Sequence, residues 1–322
     1  MSPPNPPAPT RTLPYGEAAI ADAAAVIAAG GPVAIPTETV YGLAADATDS
    51  RAVAGIYAAK GRPSFNPLIV HVLDRAAAER IALFDDAAGL LADAFWPGPL
   101  TLVLPLRPDA GIASLVTAGL DTIAIRVPAH RAMRALLAAT GKPLAAPSAN
   151  ASGAISPTRA EHVLASLGGR IPLIVDDGPT EAGLESTIVM TGADYRILRP
   201  GPITAEEIAA LLPGPAGSAD AAHGTPRITA PGQLDSHYAP RKPLRINATT
   251  AAPGEWLIGF GAVAGDDTLS AVGDLSEAAA ALFSALHRAD ASPSAGIAMG
   301  PVPATGLGAA INDRLRRAAH RD

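Results

Sequence analysis

The sequence predicts an α/β protein built in two units, and three observations carry this. Short apolar runs bounded by Pro, Gly or Asp alternate along the chain with longer alanine-rich stretches of helical character. A segment of Pro, Gly, Ala and Ser with few large apolar residues, 213–231, divides the chain. Beyond it the order strand, helix, strand, helix returns, which favours a small parallel α/β domain. The chain has 322 residues, 48% of them hydrophobic, which is enough for two cores. Only 4% are aromatic, so closely packed helices with small side chains are expected rather than aromatic clusters.

Residues 1–11 are proline-rich and bury too little to order themselves. They lack the apolar core of a signal peptide. Residues 17–29 read as a helix stopped by Gly30-Gly31, and 32–36 as a short strand. Thr37-Glu38-Thr39-Val40-Tyr41-Gly42-Leu43 follows as a polar turn. Ligands of open α/β sheets sit beyond the carboxyl ends of strands, so Thr37 and Thr39 are either ligand-binding hydroxyls or a cap. A helix over 51–59 leads into Lys60-Gly61-Arg62-Pro63-Ser64-Phe65-Asn66-Pro67. Its point charge and planar fork, on a turn that proline stiffens, suit a polyanion; the bland alternative is two solvated charges. Leu68-Ile69-Val70 is a buried strand with His71 near its carboxyl end, either a core histidine or a ligand-binding one.

A helix is expected over 76–94, a rigid aromatic turn at Phe95-Trp96-Pro97-Gly98-Pro99, and strands over 100–106 and 121–128. In the latter, Thr122, Ala124 and Arg126 share one face by the period-two rule. Arg126 is then an exposed edge charge or an anion ligand. A helix over 131–140 and a strand over 143–146 precede the loop Pro147-Ser148-Ala149-Asn150-Ala151-Ser152-Gly153, which offers hydroxyls and an amide. Ser156-Pro157-Thr158 opens the next helix, with Ser156 as N-cap. Strands over 171–175, 183–189 and 195–198 and a helix from 204 to 212 complete the first unit.

The linker closes with Pro231-Gly232-Gln233-Leu234-Asp235-Ser236-His237-Tyr238-Ala239-Pro240. A histidine and a tyrosine between prolines imply packing against the first domain's cleft. In the second unit, strands are expected over 255–262 and 296–302 and helices over 276–289 and 307–319. Gly259-x-Gly261-x-x-Ala264 follows a strand but no helix begins there, so it reads as a turn rather than a dinucleotide fingerprint. There is no cysteine, which excludes disulfides, thiol nucleophiles and Cys-held metals. The seven histidines show no metal-ligand spacing. No P-loop or Gly-x-Ser-x-Gly elbow is present. A net charge of −6 speaks against a broad nucleic-acid surface. No apolar run reaches membrane-spanning length, and a cytoplasmic location is expected.

Taken together, several motifs resemble the YrdC-like L-threonylcarbamoyladenylate synthases in their long, two-domain form. They are Pro36-Thr37-Glu38-Thr39-Val40-Tyr41-Gly42-Leu43, Lys60-Gly61-Arg62-Pro63, Asn66-Pro67-Leu68-Ile69-Val70-His71 and Phe95-Trp96-Pro97-Gly98-Pro99-Leu100-Thr101. With them go Thr122-Ile123-Ala124-Ile125-Arg126-Val127-Pro128, Ala146-Pro147-Ser148-Ala149-Asn150, Gly183-Leu184-Glu185-Ser186-Thr187-Ile188, Leu198-Arg199-Pro200-Gly201, His237-Tyr238-Ala239-Pro240 and Asn312-Asp313-Arg314-Leu315. The resemblance implies a twisted open mixed sheet with helices over 12–212, a linker over 213–241 packed on the active site, and a small parallel α/β domain over 242–322. It implies synthesis of threonylcarbamoyl-AMP and pyrophosphate from L-threonine, bicarbonate or CO2, and ATP, for threonylcarbamoyladenosine in tRNA. Lys60 and Arg62 would be catalytic. Arg62, Asn66, Thr122, Ser148, Asn150, Ser156, Arg199 and Tyr238 would hold ATP. Thr39, His71, Arg126, Ala146 and Ser186 would surround threonine. Mg2+ would accompany ATP, with no protein metal site. The product would pass to a tRNA threonylcarbamoyltransferase, with no membrane partner and no direct tRNA binding.

Two positions depart from the family pattern: Phe65 stands where many relatives carry Asp, and Ala151 and Ala154 where basic residues are common. Two other classes compete. One is an RNA-binding module, which the acidic balance opposes. The other is the carbamoyltransferase module of hydrogenase maturation proteins, whose Cys-rich zinc motifs are missing here.

Overall fold

Alternation along the strands decides the layers. In the computed structural model, which describes residues 9–192, 194–212 and 237–320, β2 (Val33–Pro36) turns back through Thr37–Val40 into β3 (Tyr41–Asp46) as an antiparallel pair. Val33, Ile35 and Ala44 point to one core, with α1 (Glu17–Ala28) and α6 (Arg131–Thr140). Ala34, Leu43 and Ala45 point to the other, with α2 (Ser50–Lys60), α4 (Asp86–Phe95) and α7 (Ala160–Leu167). Helices on both faces of one sheet give each strand residue a core to enter, which is why the strands read as short apolar runs.

The sheet grows to ten strands among the described residues. The other members are β1 (Arg11–Pro14), β4 (Ile69–His71), β5 (Leu100–Pro105), β6 (Thr122–Arg126), β7 (Leu144–Ala145), β8 (Leu173–Asp176), β9 (Thr187–Met190) and β10 (Arg196–Arg199). Their order is β1-β8-β2-β3-β7-β4-β6-β5-β9-β10, with parallel and antiparallel pairs mixed. The small domain pairs β11 (Leu244–Arg245), β14 (Gly296–Met299), β12 (Glu255–Gly259) and β13 (Asp267–Thr268), all in parallel. Both architectures are those the sequence predicts; β11 and β13 are too short to read from it.

Four local expectations give way to the structure. Residues 1–8 lie outside the described residues, but Thr10 and Arg11 are placed: Arg11 starts β1 and pairs in parallel with β8, because Leu13 docks on the α1 core. The polar turn is shorter than predicted, since Tyr41-Gly42-Leu43 belong to β3. The helix over 76–94 is two helices, α3 (Arg75–Glu79) and α4. Ala82 bridges to Leu106 between them, and Asp85 caps the second by accepting from Ala88 N at 2.7 Å. Ser156 caps nothing: α7 begins four residues later with Arg159 as its N-cap residue. Ser156 is instead buried, and its hydroxyl donates to Glu185 Oε1.

Short helices α3, α5 (Ser114–Thr117) and α8 (Ala205–Leu211) fill the flanks. Thr204 and Glu207 form a reciprocal capping box on α8. In the small domain, α9 (Leu275–Ala291) and α10 (Leu307–Ala319) cover the sheet. The Gly259-x-Gly261-x-x-Ala264 segment folds back on its own strand. A Cβ at Gly259 would strike the Val263 carbonyl, and one at Gly265 the Leu257 carbonyl. These glycines therefore serve a tight backbone approach.

The two domains meet over a shared core. Val40, Ile155 and Leu184 of the first join Tyr238 and the α9–α10 residues Leu282, Phe283 and Ile311. His162 of α7 stacks on His287 of α9 with ring centroids 3.8 Å apart, and Thr158 Oγ1 lies 2.9 Å from Ser284 Oγ. Gly183, at φ +67, lets α9 approach: a Cβ there would strike the Ala279 carbonyl. No helix of the described residues is long and apolar enough to cross a membrane.

Candidate active site

Register places the site. Ile123 and Ile125 of β6 and Val70 of β4 face the helical core. By alternation Ile69, His71, Ala124 and Arg126 share the opposite face, where His71 pairs with Arg126 across the ladder. A cavity lies over this face, walled by Thr37, Thr39, Gly42, Ala146 and Ser148, then by Glu185, Ser186, Arg199 and Arg62, and roofed by His237 and Tyr238.

At one end stands Arg126, 3% exposed. Nε donates to Gly98 O at 3.2 Å, Nη1 donates to Thr39 Oγ1 at 3.0 Å, and Nη2 lies 2.7 Å from Glu38 Oε1. Thr37 donates its hydroxyl to Val40 O at 2.7 Å, so Thr39 must donate to Thr37 over their 2.7 Å contact. Thr39 is then an acceptor towards Arg126. Arg126 Nη2 and His71 Nδ1 are buried without a directed hydrogen-bond partner among the described residues. Burial, and next the Arg126 charge, push the His71 pKa down to about 3, so its ring is neutral.

At the other end are Arg199 and Arg62. Arg199 Nε and Nη2 donate to Ser186 O at 3.1 and 2.9 Å. Ser186 Oγ lies 2.7 Å from Thr101 Oγ1. Arg62 donates to Asn66 O and Pro67 O at 3.2 and 2.9 Å, so the turn holds its own arginine in place. Tyr238, at φ +64, presents a buried hydroxyl with no directed partner among the described residues. Residues 213–236 of the linker lie outside the described residues; of those that follow, His237 and Tyr238 line the cavity and Ala239 N donates to Gly153 O at 2.8 Å.

All five residues expected around threonine, Thr39, His71, Arg126, Ala146 and Ser186, line the cavity, as do Arg62, Ser148, Arg199 and Tyr238 from the nucleotide set. The others, Lys60, Asn66, Thr122, Asn150 and Ser156, do not line it. Lys60 is the last residue of α2, buried, and its ammonium bridges Ser148 O and Asn150 O at 2.5 Å each. Burial, and then Arg62, lower its pKa well below that of a free lysine, while the two carbonyls favour the ammonium. Asn150 spends its amide nitrogen on Ala151 O and Ala154 O, shaping the loop. Asn66 is buried, and neither amide atom has a hydrogen-bond partner among the described residues. Ser156 reaches the cavity only through Glu185. Thr122 opens β6, four residues before Arg126.

Three contributors escape a motif-by-motif reading: Glu38, Glu185 and Arg314. Glu185 Oε2 accepts from Arg314 Nε at 2.8 Å, and Arg314 Nη1 donates to Asp313 Oδ2 at 2.7 Å. The Arg314 guanidinium also sits 5.2 Å from the Tyr238 ring centroid. Arg314 is completely buried. The available signal is its helical phase, since it shares a face of α10 with Ala310, Ile311 and Ala318, where no charge belongs unless it is paired.

A chain of 42% identity in Bacillus subtilis strain 168 aligns with 96% of this chain and 95% of its own length; it is a threonylcarbamoyl-AMP synthase. This chain belongs to the YrdC-like threonylcarbamoyl-AMP synthases. Residues 25–201 match the Sua5/YciO/YrdC family, described as telomere recombination, and 203–320 match the threonylcarbamoyl-AMP synthase C-terminal domain. A synthase from Pyrococcus abyssi is 40% identical over 92% of this chain and 93% of its own. The crystal structure of P. abyssi Sua5 complexed with L-threonine superposes with a TM-score of 0.87 at 36% identity, covering 96% of each chain. Full-length HypF matches in fold alone, at 21% identity and TM-score 0.50, over 58% of this chain and 30% of its own.

Acid should loosen the synthase fold through its buried histidines. His71 and His237 are both pushed down to about 3, chiefly by burial. An unfolded histidine takes up a proton near pH 6.5 and the folded one does not. Stability is therefore full above about pH 7 and falls as pH drops from about 6.5 towards 3, by up to about 1.4 kcal/mol per pH unit for each histidine. Urea midpoints between pH 7.5 and 5 should show this, and His71→Asn should reduce the slope by about one proton.

Proposed function

We propose that the cavity joins L-threonine, bicarbonate or CO2, and ATP into threonylcarbamoyl-AMP and pyrophosphate, with threonine at the Arg126 end and the nucleotide at the Arg62–Arg199 end. The observation that carries this is the division of one hollow between a guanidinium with undirected N–H groups beside a neutral histidine and two further arginines under a tyrosine. Arg126 takes the threonine carboxylate as a fork. His71 Nδ1 meets the substrate hydroxyl; a site built to bond a hydroxyl rejects an analogue without one.

The threonine ammonium gives a proton to solvent. The amine nitrogen adds to CO2 as one C–O π bond opens, and loss of a second proton from nitrogen to solvent leaves a carbamate. From bicarbonate the same C–N bond forms as water leaves. A carbamate oxygen attacks the α-phosphorus, and the bond to pyrophosphate breaks with its electrons leaving on the pyrophosphate oxygen. Positioning and charge stabilisation suffice for such a displacement, which suits a site of cations and hydroxyls. Arg62 and Arg199 meet the phosphate charge. Lys60 fixes the Ser148–Asn150 loop and has one N–H left for the reacting oxygens. Tyr238 closes over the nucleotide.

Magnesium arrives with ATP. Among the described residues no three His, Asp or Glu groups converge on a metal, and Glu185 has both oxygens engaged. On this reading the phosphate oxygens and water would make up most of the ion's shell. We place the enzyme in the cytoplasm, with its product passed to a tRNA threonylcarbamoyltransferase and no direct hold on tRNA.

Purified enzyme given ATP and labelled bicarbonate should release pyrophosphate and fix label only when L-threonine is added. Equal turnover with valine, or pyrophosphate release without an amino acid, would overturn the reading.

A further inference from the structure

The two ends of the cavity differ in how their arginines are matched, and at the Arg126 end the match comes from a residue that is not on the wall. At the nucleotide end, among the described residues, Arg62 and Arg199 share the wall with a single carboxylate, Glu185, which is held by Arg314 and Ser156. At the amino-acid end Arg126 is matched by Glu38, 2.7 Å away, and His71 is neutral. Glu38 lies behind Arg126, with its side chain 11% exposed. Its Oε1 also accepts Ala129 N at 3.2 Å, and its own carbonyl accepts Ala182 N at 2.8 Å, so both backbone and carboxylate are fixed. Burial alone would raise its pKa, but the Arg126 charge and the contacts of Arg126 and Ala129 outweigh it and keep it ionised.

Without Glu38, Arg126 would be a buried, uncompensated guanidinium with undirected N–H groups. That is a phosphate fork. A reaction that brings a triphosphate and a small amino acid into one hollow needs its phosphates kept away from that fork. A zwitterion brings its own ammonium and enters a neutral end at little cost, whereas phosphate brings only negative charge.

We propose that Glu38 is a specificity-determining residue: by neutralising Arg126 it excludes phosphate groups from the amino-acid end, so that they sort to Arg62 and Arg199. This rests on the substrate placement given above.

The test is calorimetric titration of L-threonine and of ATP into full-length wild type and Glu38→Gln, with inorganic phosphate varied at constant ionic strength so that screening does not change. Glutamine keeps an acceptor for Ala129 N and removes the charge. In the wild type, phosphate should weaken ATP and leave the threonine Kd unchanged. In Glu38→Gln, phosphate should compete with threonine and raise its apparent Kd in proportion to phosphate concentration, reaching about tenfold, about 1.4 kcal/mol, at about nine times the phosphate Kd. A weaker threonine Kd that phosphate does not move would reduce Glu38 to a support for Arg126 and overturn the proposal. Competition between phosphate and threonine in the wild type overturns it equally, and that arm stands even if the variant does not fold. Wild type that binds no threonine at all removes the placement itself, and the proposal with it.

Discussion

Arg314→Met should cut pyrophosphate release by about a hundredfold, equivalent to about 2.7 kcal/mol at one decade per 1.36 kcal/mol, although residue 314 touches no substrate. The side chain is fully buried between the domains and holds Glu185 at 2.8 Å. Breaking a buried pair from one side leaves the other charge uncompensated and costs about 3–5 kcal/mol. Here that charge is on the cavity wall. Glu185 would be free to pair with Arg199, taking a cation from the end proposed to hold the nucleotide, and Tyr238 would lose the guanidinium on its ring. Thermal unfolding should show a lower midpoint, and ATP titration a weaker Kd with threonine binding little changed. Adding Glu185→Gln should recover much of the stability, since the buried charge is then removed from both sides. A stable Arg314→Met enzyme at near-normal rate would sever the C-terminal domain from the chemistry.

Arg126→Lys should weaken threonine by about two decades while the ATP Kd stays within about twofold. A lysine keeps the positive charge opposite Glu38 and so limits the cost to the fold. It lacks the planar fork that one carboxylate can engage twice. It also cannot reach Gly98 O, Thr39 Oγ1 and Glu38 Oε1 at once, as the arginine does. Calorimetry with L-threonine and then ATP separates the two ends. A loss of less than about threefold for threonine would show that its carboxylate lies elsewhere.

Much of the architecture was legible because it follows local rules. Alternation put Arg126 opposite Ile123 and Ile125, and the same parity set His71 beside it. The proline-stiffened turn at 62–67 showed where an arginine would be fixed. The errors came where tertiary partners outbid local preference. Ser156 carries an N-cap's side chain in front of a proline, yet its hydroxyl goes to Glu185, 29 residues away. The apolar phase over 76–94 runs on as one helix until the Ala82–Leu106 bridge interrupts it. Lys60 reads as a free cation on a turn until two loop carbonyls close on it, 88 and 90 residues along the chain.

By itself the sequence determined the α/β class, the two-domain division, the absence of thiol chemistry and the residue types of the site, all of which depend on composition and on spacing within a few residues. Only the tertiary structure decided how the charges are matched. Arg126 answers Glu38 and Thr39 from 87 or 88 residues away, and Arg314 crosses 129 residues and a domain boundary to Glu185. The reason is physical: a buried charge is tolerable only beside its partner, and that partner is chosen by proximity in space, which no local pattern encodes.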